Sequence, residues 1–356
     1  MATLRFSGPV LPDGEHRDVH VVDGRVTFEH QPGSETAARG WILPGMVDAH
    51  NHLGMDDGGA VPDEETERQA VLDRDTGVLL LRDCGSPSDT RWVQERDDLP
   101  RLVRAGRHLA RTRRYIRNYA HEVEPEDLAS YAAREARAGD GWIKLVGDWI
   151  SRESGDLAPS FPVETFASAI EAAHAEGAKV TAHCFGRDVL QGLLDAGIDC
   201  IEHGTGLSTD QVEQMATAGV ALVPTVQQTG KFPEFAEAGR ERFPEYAATM
   251  DDLFARRREV LLSAHEAGVA LYVGSDGGGA ARHGELMGEV EAMVDLGLPA
   301  ADVVAAVSWQ GRAWLGWEGV VEGAPADFVV LDADPREDLS TLRRPVCVVL
   351  RGAVVA

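Results

Sequence analysis

The sequence predicts an α/β protein: a (β/α)8 TIM barrel with a small β-sandwich domain formed by both termini. Three observations carry this. Eight short apolar runs alternate with longer, often amphipathic segments through the middle of the chain. Both ends are rich in β-branched residues around turn signals. Ionisable residues recur at the carboxyl ends of the apolar runs, the rim on which barrels of this kind assemble their sites.

The elements follow in order. Residues 1–43 hold short strand-like pieces broken at 12–14 (P-D-G) and 23–24 (D-G), and residues 320–356 hold the runs ADFVVLDADP and PVCVVLRGAVVA. These two ends are assigned to the appended domain, and 44–319 to the barrel. Barrel strands are predicted at 45–50, 77–83, 107–112, 142–148, 178–184, 199–204, 220–226 and 269–276. Amphipathic helices are predicted at 163–176 and 187–195. An open doubly wound sheet could use the same alternation. The stretch 227–266 is long for one crossover, so a lid over the barrel mouth is expected there, packed by Phe232, Phe235, Phe243 and Tyr246.

The chain has 356 residues, 44% of them hydrophobic and 26% charged, the mix of an ordinary globular protein. Its net charge of −25 repels phosphate backbones and anionic membranes, which excludes nucleic acid and lipid as expected partners. Cys84, Cys184, Cys200 and Cys347 form no C-x-x-C pair and read as small buried hydrophobes in a reducing compartment. No run approaches the ~20 apolar residues of a membrane helix, and the N-terminal stretch lacks the pattern of a signal peptide. A cytoplasmic protein is therefore expected, with a small-molecule substrate and room for homo-oligomerisation.

Chemistry begins at His50 and His52, which follow Asp48 at a strand end. Residues two apart on a strand share a face, so both imidazoles can reach one metal ion. An H-x-H pair alone can arise by chance on a polar strand. Its weight comes from His183, His203 and Asp276, each closing another apolar run on the same rim. Lys144 lies inside the apolar run Trp142–Val146, where a free ammonium is costly to bury. An ion pair with Asp148 or Asp276, a lowered pKa, or a carbamate formed with carbon dioxide would each answer that cost.

These residues resemble a known family. P-G-M-V-D-A-H-N-H (44–52) is similar to the P-G-x-x-D-x-H-x-H signature of the amidohydrolase superfamily. The segments 182–188, 197–205, 274–278 and 323–335 resemble its imidazolonepropionase-like and prolidase-like branch. The resemblance implies a binuclear centre of two divalent metal ions, zinc before manganese or cobalt. His50, His52, Lys144, His183, His203 and Asp276 match the ligands, with Lys144 carbamylated and bridging the two ions. It also implies amide hydrolysis by hydroxide activated between the metals, with Asp276 carrying the proton.

The loop after the third strand departs from the family pattern, running Arg111-Thr-Arg-Arg-Tyr-Ile-Arg-Asn-Tyr-Ala-His121. Arginines here would clamp a carboxylate or else pair with nearby acids. Tyr119 and His121 are the candidate hydrogen-bond donors to an oxyanion, Arg117 the candidate for a substrate carboxylate, and His283 a further substrate-binding candidate. The expected substrate is a dipeptide or N-acyl amino acid. Alternatives are a cyclic amide, a nitrogen heterocycle that is deaminated, a carbamate or ester, and a non-catalytic scaffold, which the full set of ligand-type residues disfavours.

Overall fold

The computed structural model describes residues 3–279 and 281–356. Parallel strands form at Met46–Asn51, Val78–Asp83, Trp142–Val146, Lys179–Cys184, Cys200–His203 and Ala221–Val223. Almost every residue in them is buried, as expected where helices cover one face of a parallel sheet and the interior of the fold the other. The third predicted strand, 107–112, shortens to Leu109–Arg111, which meets Trp142–Val146 at Leu109↔Leu145; Arg101–Arg104, a strand outside the predicted set, pairs with Val78–Asp83.

The eighth predicted strand differs from expectation. Residues 269–276 form no continuous ladder, only two hydrogen bonds on either side. The Tyr272 amide donates to the Leu222 carbonyl (3.0 Å), and Leu222 to Ala270 (2.9 Å). On the other side Ala49 donates to Val273 and Asp276 donates to His50, both at 2.8 Å. This segment therefore lies between the first strand and Ala221–Val223, although its own backbone is too irregular for a ladder.

Helix Val163–Ala175 buries Phe166, Ala169, Ile170 and Ala173, the i, i+3, i+4, i+7 stripe its sequence predicts. The predicted excursion at 227–266 is built from helices Val226–Gly230, Phe232–Gly239 and Pro244–Glu266. Phe232, Phe235 and Tyr246 pack there with Phe185. Phe243 does not join them; it lies beneath the Arg242 guanidinium instead. No helix among the described residues is long and apolar enough to cross a membrane.

Both termini enter one hydrogen-bonded sheet of eight strands that branches at Leu4–Val10, where a sandwich was expected. It draws on residues between Leu4 and Pro44 and between Phe328 and Val354, with a core of its own around Phe6, Val19, Ile42 and Phe328. Asp327 ties it to the rest of the molecule. Its carboxylate receives Arg101, the Arg351 amide (2.8 Å) and the fully buried Arg312 (3.5 Å), while its carbonyl accepts from the Gly45 amide (3.0 Å). Replacing Asp327 by Ala would strand the Arg312 guanidinium, so Asp327→Ala is expected to lower stability by about 3–5 kcal/mol in urea denaturation. A loss under about 1 kcal/mol would show that the anchor lies elsewhere.

Candidate metal centre

His50 and His52 project from the end of the first strand into a cavity of about 480 Å³. Asn51 between them turns the other way, donating to Asp48 (3.0 Å) and Asp73 (3.3 Å). Asp48 also accepts from the His50 amide and from both the amide and hydroxyl of Ser275, fixing the first strand to the segment that carries Asp276. Gly274 permits that approach, since a Cβ there would lie 2.5 Å from the His50 Cβ.

The His50 and His52 Nε2 atoms are 3.2 Å apart, and each is within 3.2 Å of the same Asp276 Oδ1. The other nitrogen of His52, Nδ1, donates to the Gly85 carbonyl at 2.7 Å. A carbonyl only accepts, so the His52 Nε2 lone pair faces the site. A second convergence joins His183 Nδ1 and His203 Nε2 at 2.9 Å, with His203 Nδ1 on the Thr225 hydroxyl at 2.5 Å. Burial holds the His50, His183 and His203 imidazoles below their ordinary pKa, His183 at about 3, so their rings are neutral. Burial alone would raise Asp276, yet His50 beside it, at 3.1 Å, keeps its carboxyl well below the usual range. Neutral imidazoles and an ionised carboxylate converging in a desolvated cavity fit divalent cations of the zinc type.

Lys144 lies between these two groups on the cavity wall, and its carboxylate partner is Glu202, not Asp148 or Asp276. Glu202 is wholly buried and also receives the Thr181 hydroxyl (2.8 Å) and Arg82 (3.4 Å). Burial opposes its ionisation, but His50, Lys144 and Arg82 hold its pKa well below the usual value. Sequence reasoning missed it because strand neighbours point to opposite faces, so Glu202 and His203 were not expected to share an interior. His203 has φ +66°, a left-handed conformation that re-aims its ring at the strand end. Asp276 does the same at φ +57°, and Thr225, which holds His203, at φ +42°. An acid inside the apolar run D-C-I-E-H was the available signal.

The remaining candidates divide. Tyr119 is buried on the cavity wall, and its hydroxyl would lie 3.1 Å from a Cβ at Gly279. His121 lies outside the cavity and is paired with Glu135 at 3.2 Å. Arg117 is exposed and also outside it. His283 is buried against Asp73 (2.9 Å), a strut behind Asn51. Sequence reasoning also passed over Tyr115, four residues before Tyr119. Its ring stands on the cavity wall, 5.9 Å from that of His183 and 4.8 Å from that of Trp149.

A model described as the amidohydrolase family matches residues 41–355. The chain belongs to the amidohydrolase family. It is a hydrolytic enzyme acting on carbon–nitrogen bonds. An uncharacterised protein of Mycobacterium tuberculosis strain H37Rv is 48% identical over 351 residues, covering 98% of this chain and 95% of its own. Imidazolonepropionase of Chromobacterium violaceum is 28% identical, covering 60% and 57%. Among solved structures, a Xaa-Pro dipeptidase with bound methionine superposes with a TM-score of 0.82 at 20% identity, covering 99% of each chain. Ochratoxinase of Aspergillus niger superposes at 0.81 and 18% identity, covering 99% of this chain and 96% of its own. The imidazolonepropionase-like and prolidase-like resemblance is thus borne out.

One buried acid links the lid helices to this rim. The Glu289 carboxylate receives the Val226 (2.5 Å) and Gln227 (2.8 Å) amides, just beyond Thr225. Burial pushes its pKa up to about 8. The folded protein thus keeps a proton here that the unfolded chain releases near the ordinary value of 4.5. Its contribution to stability falls as pH rises between those values. Urea denaturation at pH 5 and pH 8 is expected to show a smaller drop for Glu289→Gln than for the wild type. An equal drop in both would remove Glu289 from the account.

Proposed function

We propose that the chain hydrolyses the amide bond of an N-acyl amino acid or dipeptide with a bulky apolar side, using two divalent metal ions. In this reading zinc is the metal, the parallel strands close into a (β/α)8 barrel, and Lys144 carries a carbamate between the ions. Hydrogen bonds from residues 270–276 to both flanking strands support the closure. Arg82 and Thr181 support the carbamate, because they would keep Glu202 partnered when Lys144 turns to the metals.

The observation that carries the substrate reading is the cavity wall. Beyond the ligand set it is formed mainly by Met55, Ile116, Trp149, Leu157, Phe185 and Phe235, with Tyr115, Tyr119 and Tyr246 among them and Asp57 and Gln228 as the further polar members. Lys144 is the one Lys or Arg among the described lining residues, and it faces Glu202. Such a wall desolvates a hydrophobic acyl or aryl group and offers a carboxylate no unpaired cation. The structural likeness to the Xaa-Pro dipeptidase and ochratoxinase is consistent with it.

His50, His52 and Asp276 would hold one cation, and His183 and His203 the other. Bound there, the cations would supply positive charge that acidifies water and polarises a carbonyl. The Asp276 carboxylate, aligned by His50 and His52, accepts the proton of the attacking water and returns it to the departing amine. The Tyr119 hydroxyl donates to the developing oxyanion. The lid helices close the apolar wall and exclude bulk water.

N-acyl amino acids and dipeptides with aromatic or branched side chains are expected to turn over at least about 10-fold faster than glycine counterparts in kcat/KM. Equal rates would remove the apolar wall from the account of specificity. Asp276→Asn is expected to retain most of its metal while kcat falls by about 10²–10⁴-fold. Wild-type turnover in that variant would overturn the assigned proton transfer.

A further inference from the structure

A second cavity, of about 1010 Å³, adjoins the catalytic one and shares Tyr115, Trp149 and Ile150 with it. The shared wall is thin: the Trp149 ring lies 5.6 Å from that of His183. The far side is basic. Arg111, Arg113, Arg114, Arg152 and Arg242 line it, against the single carboxylate of Glu153.

Among the described residues, Arg111 alone of these five forms an ion pair, with Glu124 at 2.8 Å. Arg114 spends Nη2 on the Trp149 and Ala158 carbonyls, and its buried Nε has no partner. Arg242 lies over the Phe243 ring. Among the described residues the side chains of Arg113 and Arg152 form no ion pair, although the Arg113 amide donates to the Glu122 carboxylate at 3.2 Å. In a chain with 25 surplus negative charges, arginines elsewhere on the surface, such as Arg17, Arg91 and Arg96, do find acids. Unpaired guanidiniums gathered in one concave site form a receptor for a planar oxyanion.

We propose that this vestibule is a carboxylate-binding subsite beside the metal centre, holding the charged end of a ligand whose apolar part lies against Tyr115 and Trp149. The proposal rests on the amide-hydrolase reading for its choice of ligand. It moves the carboxylate contact from Arg117 to Arg152, Arg242 and Arg114. It also accounts for the departure of the 111–121 loop from the family pattern, since three of the five arginines come from that loop.

The test uses 3-phenylpropionate and its uncharged counterpart 3-phenylpropan-1-ol, neither of which holds a hydrolysable bond. Titration calorimetry on the metal-loaded enzyme at low salt is expected to show the acid binding at least about 10-fold more tightly than the alcohol. The double variant Arg152→Ala/Arg242→Ala alters only exposed side chains. It is expected to abolish that difference while metal content and affinity for the alcohol stay unchanged. Equal affinity for acid and alcohol in the wild type, or an undiminished preference in the variant, would overturn the subsite. Competition by 3-phenylpropionate that raises KM assigns the carboxylate to the substrate. A change in kcat alone assigns it to a separate regulator, and both outcomes support the subsite. These binding measurements do not depend on turnover, so a failure of the hydrolase reading appears separately, as inactivity with intact discrimination.

Discussion

Several imidazoles and one carboxylate are held a few ångströms apart in a largely buried cavity wall. That crowding is the constraint on which the rest of the structure depends. Left alone, nitrogen lone pairs facing one another in a desolvated cavity are unfavourable. The fold offsets this with a charge pattern beneath them: Glu202 lies wholly buried between Arg82 and Lys144, and Arg82 is stacked over Trp142 and Trp314 at 4.7 and 4.9 Å. Backbone strain aims the donors. Three non-glycine residues at strand ends, His203, Thr225 and Asp276, adopt left-handed conformations that the hydrogen bonds around them enforce.

Much of this was legible in the sequence because strand periodicity and ligand chemistry agree at the same positions. His50, His52, Lys144, His183, His203 and Asp276 each sit in or close an apolar run, and the structure gathers all six around one cavity. What was not legible follows from geometry that periodicity cannot express. Glu202 shares the interior with its neighbour His203 only because the chain turns left-handed there. His121 and Arg117 lie within two residues of Tyr119, yet the irregular loop sends the three side chains to different places. The 269–276 segment read as a strand because it is apolar, but it forms no continuous ladder, and its end turns left-handed at Asp276. The sheet of the two termini was expected from β-branched runs, which do not distinguish one branched sheet from two stacked ones.

The two cavities give the protein a division of labour. The cavity lined by the histidines is mainly apolar beyond the candidate ligands and, in the proposed reading, takes the uncharged body of a substrate. The vestibule beside it concentrates guanidinium groups of which, among the described residues, only Arg111 is ion-paired, whereas Arg17, Arg91 and Arg96 elsewhere find acids. The aromatic pair Tyr115 and Trp149 stands between them, so the loop after the third strand shapes both. In the proposed reading the determinants of specificity lie on a loop and those of the chemistry on strand ends, where a rigid scaffold can hold them.

The central claim is that the donor set holds two divalent cations, and elemental analysis of protein purified without chelator tests it most directly. The account predicts about two equivalents of zinc-like metal per chain, falling to about one or less in His183→Ala/His203→Ala. Wild-type protein that carries no metal and regains none on reconstitution, or a double variant that still holds two equivalents, would contradict it.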